Sequence, residues 1–282
     1  MNMLDLYKSV SFKISEIITK QYSTSFSLAT SFLEKEKRDA IFAIYGFVRL
    51  ADEIVDTFHN FDKEYLLNDL EKDLQYALKN GMSSNPVLFA FAETVKKYNI
   101  SYDLIDAFLS SMKSDITKSI YFSEEEIRNY IYGSADVVGL MCLKVFVDGD
   151  ENKYRELYHP AMKLGSAFQK VNFLRDLNFD SNKLNRIYFP ELIDQEFTDE
   201  VKKQIISDII KNDFSEAVKG IKKLEGRARF AVLVAYYYYR SLTHRIDKLS
   251  ANEVLQQRVS VPNFIKILLT IKSFLVYKLR LL

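Results

Sequence analysis

The chain has 282 residues, 48% hydrophobic and 14% aromatic, which is ample for a sizeable core and argues against disorder. Its 39 basic and 38 acidic residues give a net charge of +1 without a basic arm or stripe, so nucleic acid is not an expected partner. One cysteine, Cys142, excludes an internal disulfide framework and suits a reducing cytoplasm. His59, His159 and His244 are far apart and outside any HExxH or CxxC-like setting, which speaks against zinc.

Only eight Gly and four Pro punctuate the chain, and apolar spacing follows the helical period nearly throughout. The pattern predicts an all-α chain with helices near residues 3–20, 35–58, 63–79, 86–97, 102–113, 124–147, 151–179, 200–224, 227–248 and 262–280. The N-terminal MNMLDLYKSVSFKISE carries acids early and no apolar core segment, so it does not read as a secretory signal. NGMSSNP at 80–86, the Ser123-x-x-Glu126 capping pattern and DGDEN at 148–152 mark boundaries. A less regular loop is expected over 181–190. No linker or repeat divides the chain, so one domain is expected.

Within 40–58, Tyr45, Arg49, Asp52 and Asp56 fall within about 60° of a helical wheel, while Ile41, Phe42, Ile44, Phe47, Val48, Ile54 and Val55 fill the rest. Glu53 lies off this stripe and reads as an edge residue. In FQKVNFLRDLNFD, Gln169, Asn172, Asp176 and Asp180 form a second stripe within roughly 80°, against Phe173, Leu174 and Leu177. Asp69 and Asp73 have the same spacing, but Glu71, Lys72 and Lys79 surround them, so that helix has an ordinary solvated face. Carboxylates on helices too apolar to be surfaces are costly unless compensated. Arg49 and Arg175 offset part of the charge, and a hard divalent cation such as Mg²⁺ with phosphate oxygens would offset the rest. Buried Asp–Arg networks are the alternative. A di-iron site fits less well, since its Glu-x-x-His pairs are missing.

The C-terminal VPNFIKILLTIKSFLVYKLRLL has uncharged runs far short of the ~20 residues that span a bilayer. Lys266, Lys272 and Lys278 point three ways on the wheel, so the segment reads first as a helix packed on the domain with snorkelling lysines. Loose membrane docking is the second reading.

YSTSFSLAT (22–30), AIYGFVRLADEIVD (43–56), YIYGSADVVGLM (130–141), FQKVNFLRDLNFD (168–180), NRIYFP (185–190) and QRVSVP (257–262) resemble, in order, the blocks of the squalene/phytoene synthase family. The resemblance covers nearly the whole chain and is nearest to bacterial phytoene and dehydrosqualene synthases. It implies a single all-α domain over 1–282, a helical bundle of the isoprenoid synthase type with a central cavity. The implied activity is head-to-head condensation of two prenyl diphosphates, two geranylgeranyl diphosphates to phytoene, with dehydrosqualene or squalene from two farnesyl units as the alternative.

By the same resemblance, Asp52, Asp56, Asn172, Asp176 and Asp180 would hold several Mg²⁺ ions bridging to diphosphate, and Tyr45 and Arg49 would join the four aspartates in catalysis. Ser23, Ser25, Tyr45, Arg49, Gln169 and Arg175 would contact diphosphate or its metals. Tyr130, Tyr239 and Arg258 would stand near the cavity, Tyr239 through an alignment of four consecutive tyrosines that can slip by one. Phe26, Ala135, Val138, Gly139 and Phe168 would line the prenyl tunnel. NADPH is not expected, since no GxGxxG follows a strand. The implied setting is the cytoplasm, with peripheral contact at the inner membrane face as an option. A catalytically silent assembly factor should have lost metal ligands, whereas both stripes are intact. Asp136 departs from the family pattern, where a small residue is expected.

Overall fold

A computed structural model describes residues 2–118, 120–183, 188–189, 192 and 196–281, except the side chains of 179–183. The helices are α1 (Met3–Tyr22), α2 (Thr24–Thr30), α3 (Lys35–Asp56), α4 (Lys63–Asn80), α5 (Pro86–Tyr98), α6 (Tyr102–Thr117), α7 (Glu124–Ile131), α8 (Val137–Phe146), α9 (Glu151–Lys183), α10 (Asp199–Asp208), α11 (Ser215–Lys223), α12 (Gly226–Lys248), α13 (Ala251–Gln256) and α14 (Asn263–Leu279). No β-strand occurs among the described residues. The all-helical expectation holds.

Two expected helices contain a wider turn. Tyr132–Asp136 is π-helical between α7 and α8, and Ile209–Phe214 is π-helical between α10 and α11. α2 and α13 were not anticipated, because each is too short to show a period. Their caps carry them instead. The Ser23 side chain accepts from Phe26 N, and Ser250 with Glu253 forms a capping box. The expected loop over 181–190 begins as helix, since α9 runs to Lys183. Residues 184–187 and 190 lie outside the described residues.

The chain gathers into two compact units, Met1–Thr117 with Leu140–Glu156, and Lys118–Gly139 with Leu157–Leu282. In the first, α3 packs against α1, α4, α5 and α6. Phe47 stacks on Phe91 with centroids 4.2 Å apart and meets Phe108 edge-on at 5.5 Å. α1 turns Ser11, Ser15 and Thr19 inward, each hydroxyl satisfied by the carbonyl four residues earlier. A Cβ on Gly46 of α3 would lie 3.1 Å from Ser15 Cβ, so small residues set this approach.

In the second unit, Val171, Phe173 and Leu174 of α9 join Tyr121, Tyr130, Tyr188, Phe189, Ile205, Phe214 and Leu242 in one core. The α7–α8 strand of helices approaches α9 closely at two glycines. A Cβ on Gly165 would lie 3.0 Å from Ala135 O and Asp136 Cα, and one on Gly139 would lie 3.2 Å from Ala161 O.

Candidate active site

On α3, Ile41, Phe42, Ile44, Phe47, Ile54 and Val55 are buried, whereas Tyr45, Arg49, Asp52 and Asp56 are only partly so. A polar stripe therefore does interrupt a buried helix. The comparison pair Asp69 and Asp73 on α4 is exposed, as its surroundings suggested. Tyr45 stacks with Phe26 at 5.0 Å. Arg49 Nη1 donates to Asp52 Oδ2 at 2.5 Å, Nη2 donates to Glu53, and the guanidinium lies 4.2 Å over the Tyr22 ring. Its Nε is buried with no hydrogen-bond partner.

Glu53 is thus not an idle edge residue, because it holds Arg49 in place. Burial works to raise its carboxyl, but hydrogen bonds from Thr57, Arg49 and Tyr22 hold it low. Asp52 goes the other way. Although 34% of its side chain is exposed, desolvation and then the charge of Asp56 push it to about 7, against the pull of Arg49 and with a further push from Asp115. Asp115, buried on α6, escaped the sequence reading. It continues the helical spacing of the apolar residues Leu104, Phe108 and Met112, and a carboxylate at a core position is the signal that would have found it.

On α9, Asp176 receives Arg175 Nε at 3.1 Å and Nη2, and Arg258 Nε at 2.7 Å. Burial acts to raise this carboxyl, but the two guanidinium groups hold it below the usual range. The alternative of an Asp–Arg network therefore describes Asp176. Asn172 Oδ1 accepts the Tyr239 hydroxyl at 3.2 Å, and Tyr239 stacks on Phe168 at 3.8 Å. Its neighbours in the run lie elsewhere, since Tyr236 meets Phe214 and Tyr237 and Tyr238 lie beneath Lys272 and Lys266. Gln169 Nε2 reaches Ser134 Oγ at 3.4 Å. The Asp180 side chain lies outside the described residues.

Other expected site residues have local duties. Ser23 caps α2, and Ser25 beside it is partly buried. Tyr130 stacks on Tyr188 at 5.4 Å within an aromatic core cluster. Ala135, Val138 and Gly139 are partly buried along α7–α8. Asp136 is buried and accepts Ser166 Oγ at 2.8 Å. Burial raises it to about 7, Ser166 opposes, Asp213 adds to the rise, and Lys163 and Lys170 oppose it further. Those lysines both bind Asp213. Asp136 therefore belongs to a polar cluster between helices.

Among the described residues, no three acidic, imidazole or thiol groups converge as a metal cage. The α3 donor set nevertheless fits a hard cation together with an anion. Asp52 is a carboxylate that Arg49 compensates only in part, Asp56 lies beside it, and Arg49 has an idle buried donor.

A family model described as squalene/phytoene synthase matches residues 19–264, a span that includes both stripes. The chain belongs to the squalene/phytoene synthase family. It is 30% identical over 253 residues to chloroplastic phytoene synthase 2 of Oryza sativa subsp. japonica, covering 84% of this chain and 62% of that protein. It is 27% identical over 287 residues to phytoene synthase of Arthrospira platensis, covering 93% and 91%. The chain spans only 60–62% of the length of the plant phytoene synthases it matches first. Its fold superposes on a ligand-bound crystal structure of a dehydrosqualene synthase with a TM-score of 0.80 at 22% identity, over 98% of this chain and 99% of that one. The fold of this squalene/phytoene synthase family member is thus the isoprenoid synthase type.

Proposed function

We propose that this chain, read as one synthase domain over 1–282, is a prenyltransferase that condenses two prenyl diphosphates head to head, joining two geranylgeranyl diphosphates into phytoene through a cyclopropyl diphosphate. The observation that carries this reading is the charge pattern on α3, where a buried guanidinium nitrogen lacks an acceptor beside a carboxylate pushed to about 7. An anion alone would satisfy Arg49 and push Asp52 higher. A cation alone would do the reverse, and a metal diphosphate satisfies both.

Asp52, Asp56, Asn172, Asp176 and Asp180 are the residues to hold Mg²⁺, which when bound supplies charge neutralisation of the diphosphate leaving group. Arg49, Arg175 and Arg258 donate charge-assisted hydrogen bonds to diphosphate oxygens, with Ser23, Ser25, Tyr45 and Gln169 as neutral donors. For Arg258 to do so it must leave Asp176, and its 70% exposed side chain is free to swing. Departure of diphosphate leaves an allylic cation, which the second prenyl double bond attacks. The faces of Phe168, Tyr239, Phe26 and Tyr45 each stabilise positive charge by about 0.5–2 kcal/mol. Ala135, Val138 and Gly139 keep the prenyl path apolar and free of competing water. Loss of a proton from the resulting cation closes the cyclopropyl diphosphate, and departure of its diphosphate, rearrangement and loss of a second proton give the linear product.

Phytoene is favoured over a C30 product by the relatives of that name at 27–30% identity. A single cysteine, Cys142, suits a reducing cytoplasm. The test is incubation of the purified chain with Mg²⁺ and either C20 or C15 diphosphate, with and without NADPH. A C40 hydrocarbon from C20 substrate, independent of NADPH, is the expected result. Turnover of C15 alone would reassign the substrate, and turnover of neither would refute the activity.

A further inference from the structure

α14 is inside out. Its fully buried side chains are Ser273 and Val276, and the Thr270 and Ser273 hydroxyls are spent on their own helix's carbonyls. Seven large apolar residues, Phe264, Ile267, Leu268, Ile271, Phe274, Leu275 and Leu279, are 46–63% exposed. At about 100° per residue these seven fall in one arc of roughly 140°, with exposed Lys278 the one charged residue inside it, so they form a ridge and not scattered exposures. A soluble monomer rarely shows so large an apolar patch without a partner.

The lysines behave differently from simple snorkelling. Lys272 lies 4.5 Å over the Tyr237 ring and Lys266 lies 5.7 Å over Tyr238, both on α12, while Lys278 sits 5.7 Å over Phe274. Two of the three cations thus lean toward α12 and flank the ridge.

We infer that this ridge docks α14 in the plane of an anionic lipid surface. Residues 259–282 hold Lys266, Lys272, Lys278 and Arg280 and no Asp or Glu. That charge complements an anionic headgroup layer, to which each nearby cation is attracted. The apolar arc has the width an interfacial helix sinks into the headgroup–acyl boundary. A second copy is the poorer occupant, because a two-fold contact through the same face would bring Lys278 within the ridge, and Lys266 and Lys272 beside it, toward the same cations of the other copy. Spanning is a different matter, as no helix among the described residues is long and apolar enough to cross a membrane.

The test is flotation of the purified chain with phosphatidylcholine vesicles and with vesicles in which part of that lipid is phosphatidylglycerol, at low and high salt. The expected result is at least about tenfold tighter binding to the anionic vesicles, weakening with salt. Ile271→Asp with Leu275→Asp should abolish flotation, and Lys272→Glu with Lys278→Glu should remove the anionic preference. Circular dichroism and the thermal midpoint should stay unchanged in both pairs, since these side chains are exposed. Failure to float with any vesicle, or flotation indifferent to Ile271→Asp with Leu275→Asp, overturns the inference. So does a dimer, seen by light scattering, that these substitutions dissociate in a chain that binds no vesicles. None of these readouts needs turnover, so they stand apart from the proposed activity.

Discussion

The stripes on α3 and α9 share a DxxxD spacing and an apolar helical setting, yet their leading carboxylates sit in opposite electrostatic states. Asp52 has one guanidinium partner and feels Asp56, Asp115 and Glu53, so it is pushed to about 7. Asp176 has Arg175 beside it and Arg258 arriving from 82 residues downstream, so it is held low. Spacing fixes which way a side chain faces. The sign of its pKa shift is fixed by what the fold brings to it.

The largest effect expected is on turnover. Asp52→Ala and Asp176→Ala should each lower kcat by on the order of 10²–10³-fold or more while leaving the circular dichroism intact. If one stripe tolerates alanine, the two are not equivalent parts of one machine.

Asp136 offers a fully enclosed carboxyl to set beside them. It is held protonated to about 7 in the fold, against 3.8 for an ordinary aspartate. Its contribution is therefore fully present below 3.8 and is lost as pH rises through about 7. Asp136→Asn should leave stability near pH 4 almost unchanged and raise it at pH 8 by roughly 2–4 kcal/mol, read by urea unfolding across pH. An unchanged slope would mean that Lys163 and Lys170 already keep the carboxylate ionised.

The comparison itself predicts opposite signs for neutralisation. In metal-free protein at neutral pH, Asp52→Asn should raise the urea midpoint, since it relieves an under-compensated carboxylate. Asp176→Asn should lower stability by roughly 1–3 kcal/mol, because two guanidinium groups lose their acceptor. Shifts of the same sign would dissolve the contrast.

The smallest effect concerns positioning. Tyr239→Phe keeps the Phe168 stack but removes the hydrogen bond to Asn172, and should lower kcat/KM by roughly tenfold. Tyr238→Phe should stay near wild type. Equal losses would mean that the tyrosine run acts through bulk alone.

Much of the site was legible because helical period turns sequence spacing into direction. Tyr45, Arg49, Asp52 and Asp56 fall on one side of a buried helix as their spacing required, and the same pattern on α4 is solvated because charged neighbours surround it. Short elements were not legible. Seven residues in α2 and six in α13 show too little period, and only their capping side chains announce them. Glu53 and Asp115 were missed for another reason. One was judged by its angle on its own helix, where a long Arg49 side chain reaches it across one turn, and the other lies on a helix whose pattern looked complete without it.

Residue order alone specifies that this chain is helical, that two helices carry polar stripes through apolar surroundings, and which family it resembles. These follow from local periodicity and residue order, which survive without knowing any distance. Long-range packing establishes that Tyr239 is the tyrosine on Asn172, that Asp136 is buried against Ser166, and that α14 turns its greasy face outward. Each of those depends on which distant segment arrives at a given side, and Coulomb forces, desolvation and packing act through that arrival rather than through position along the chain.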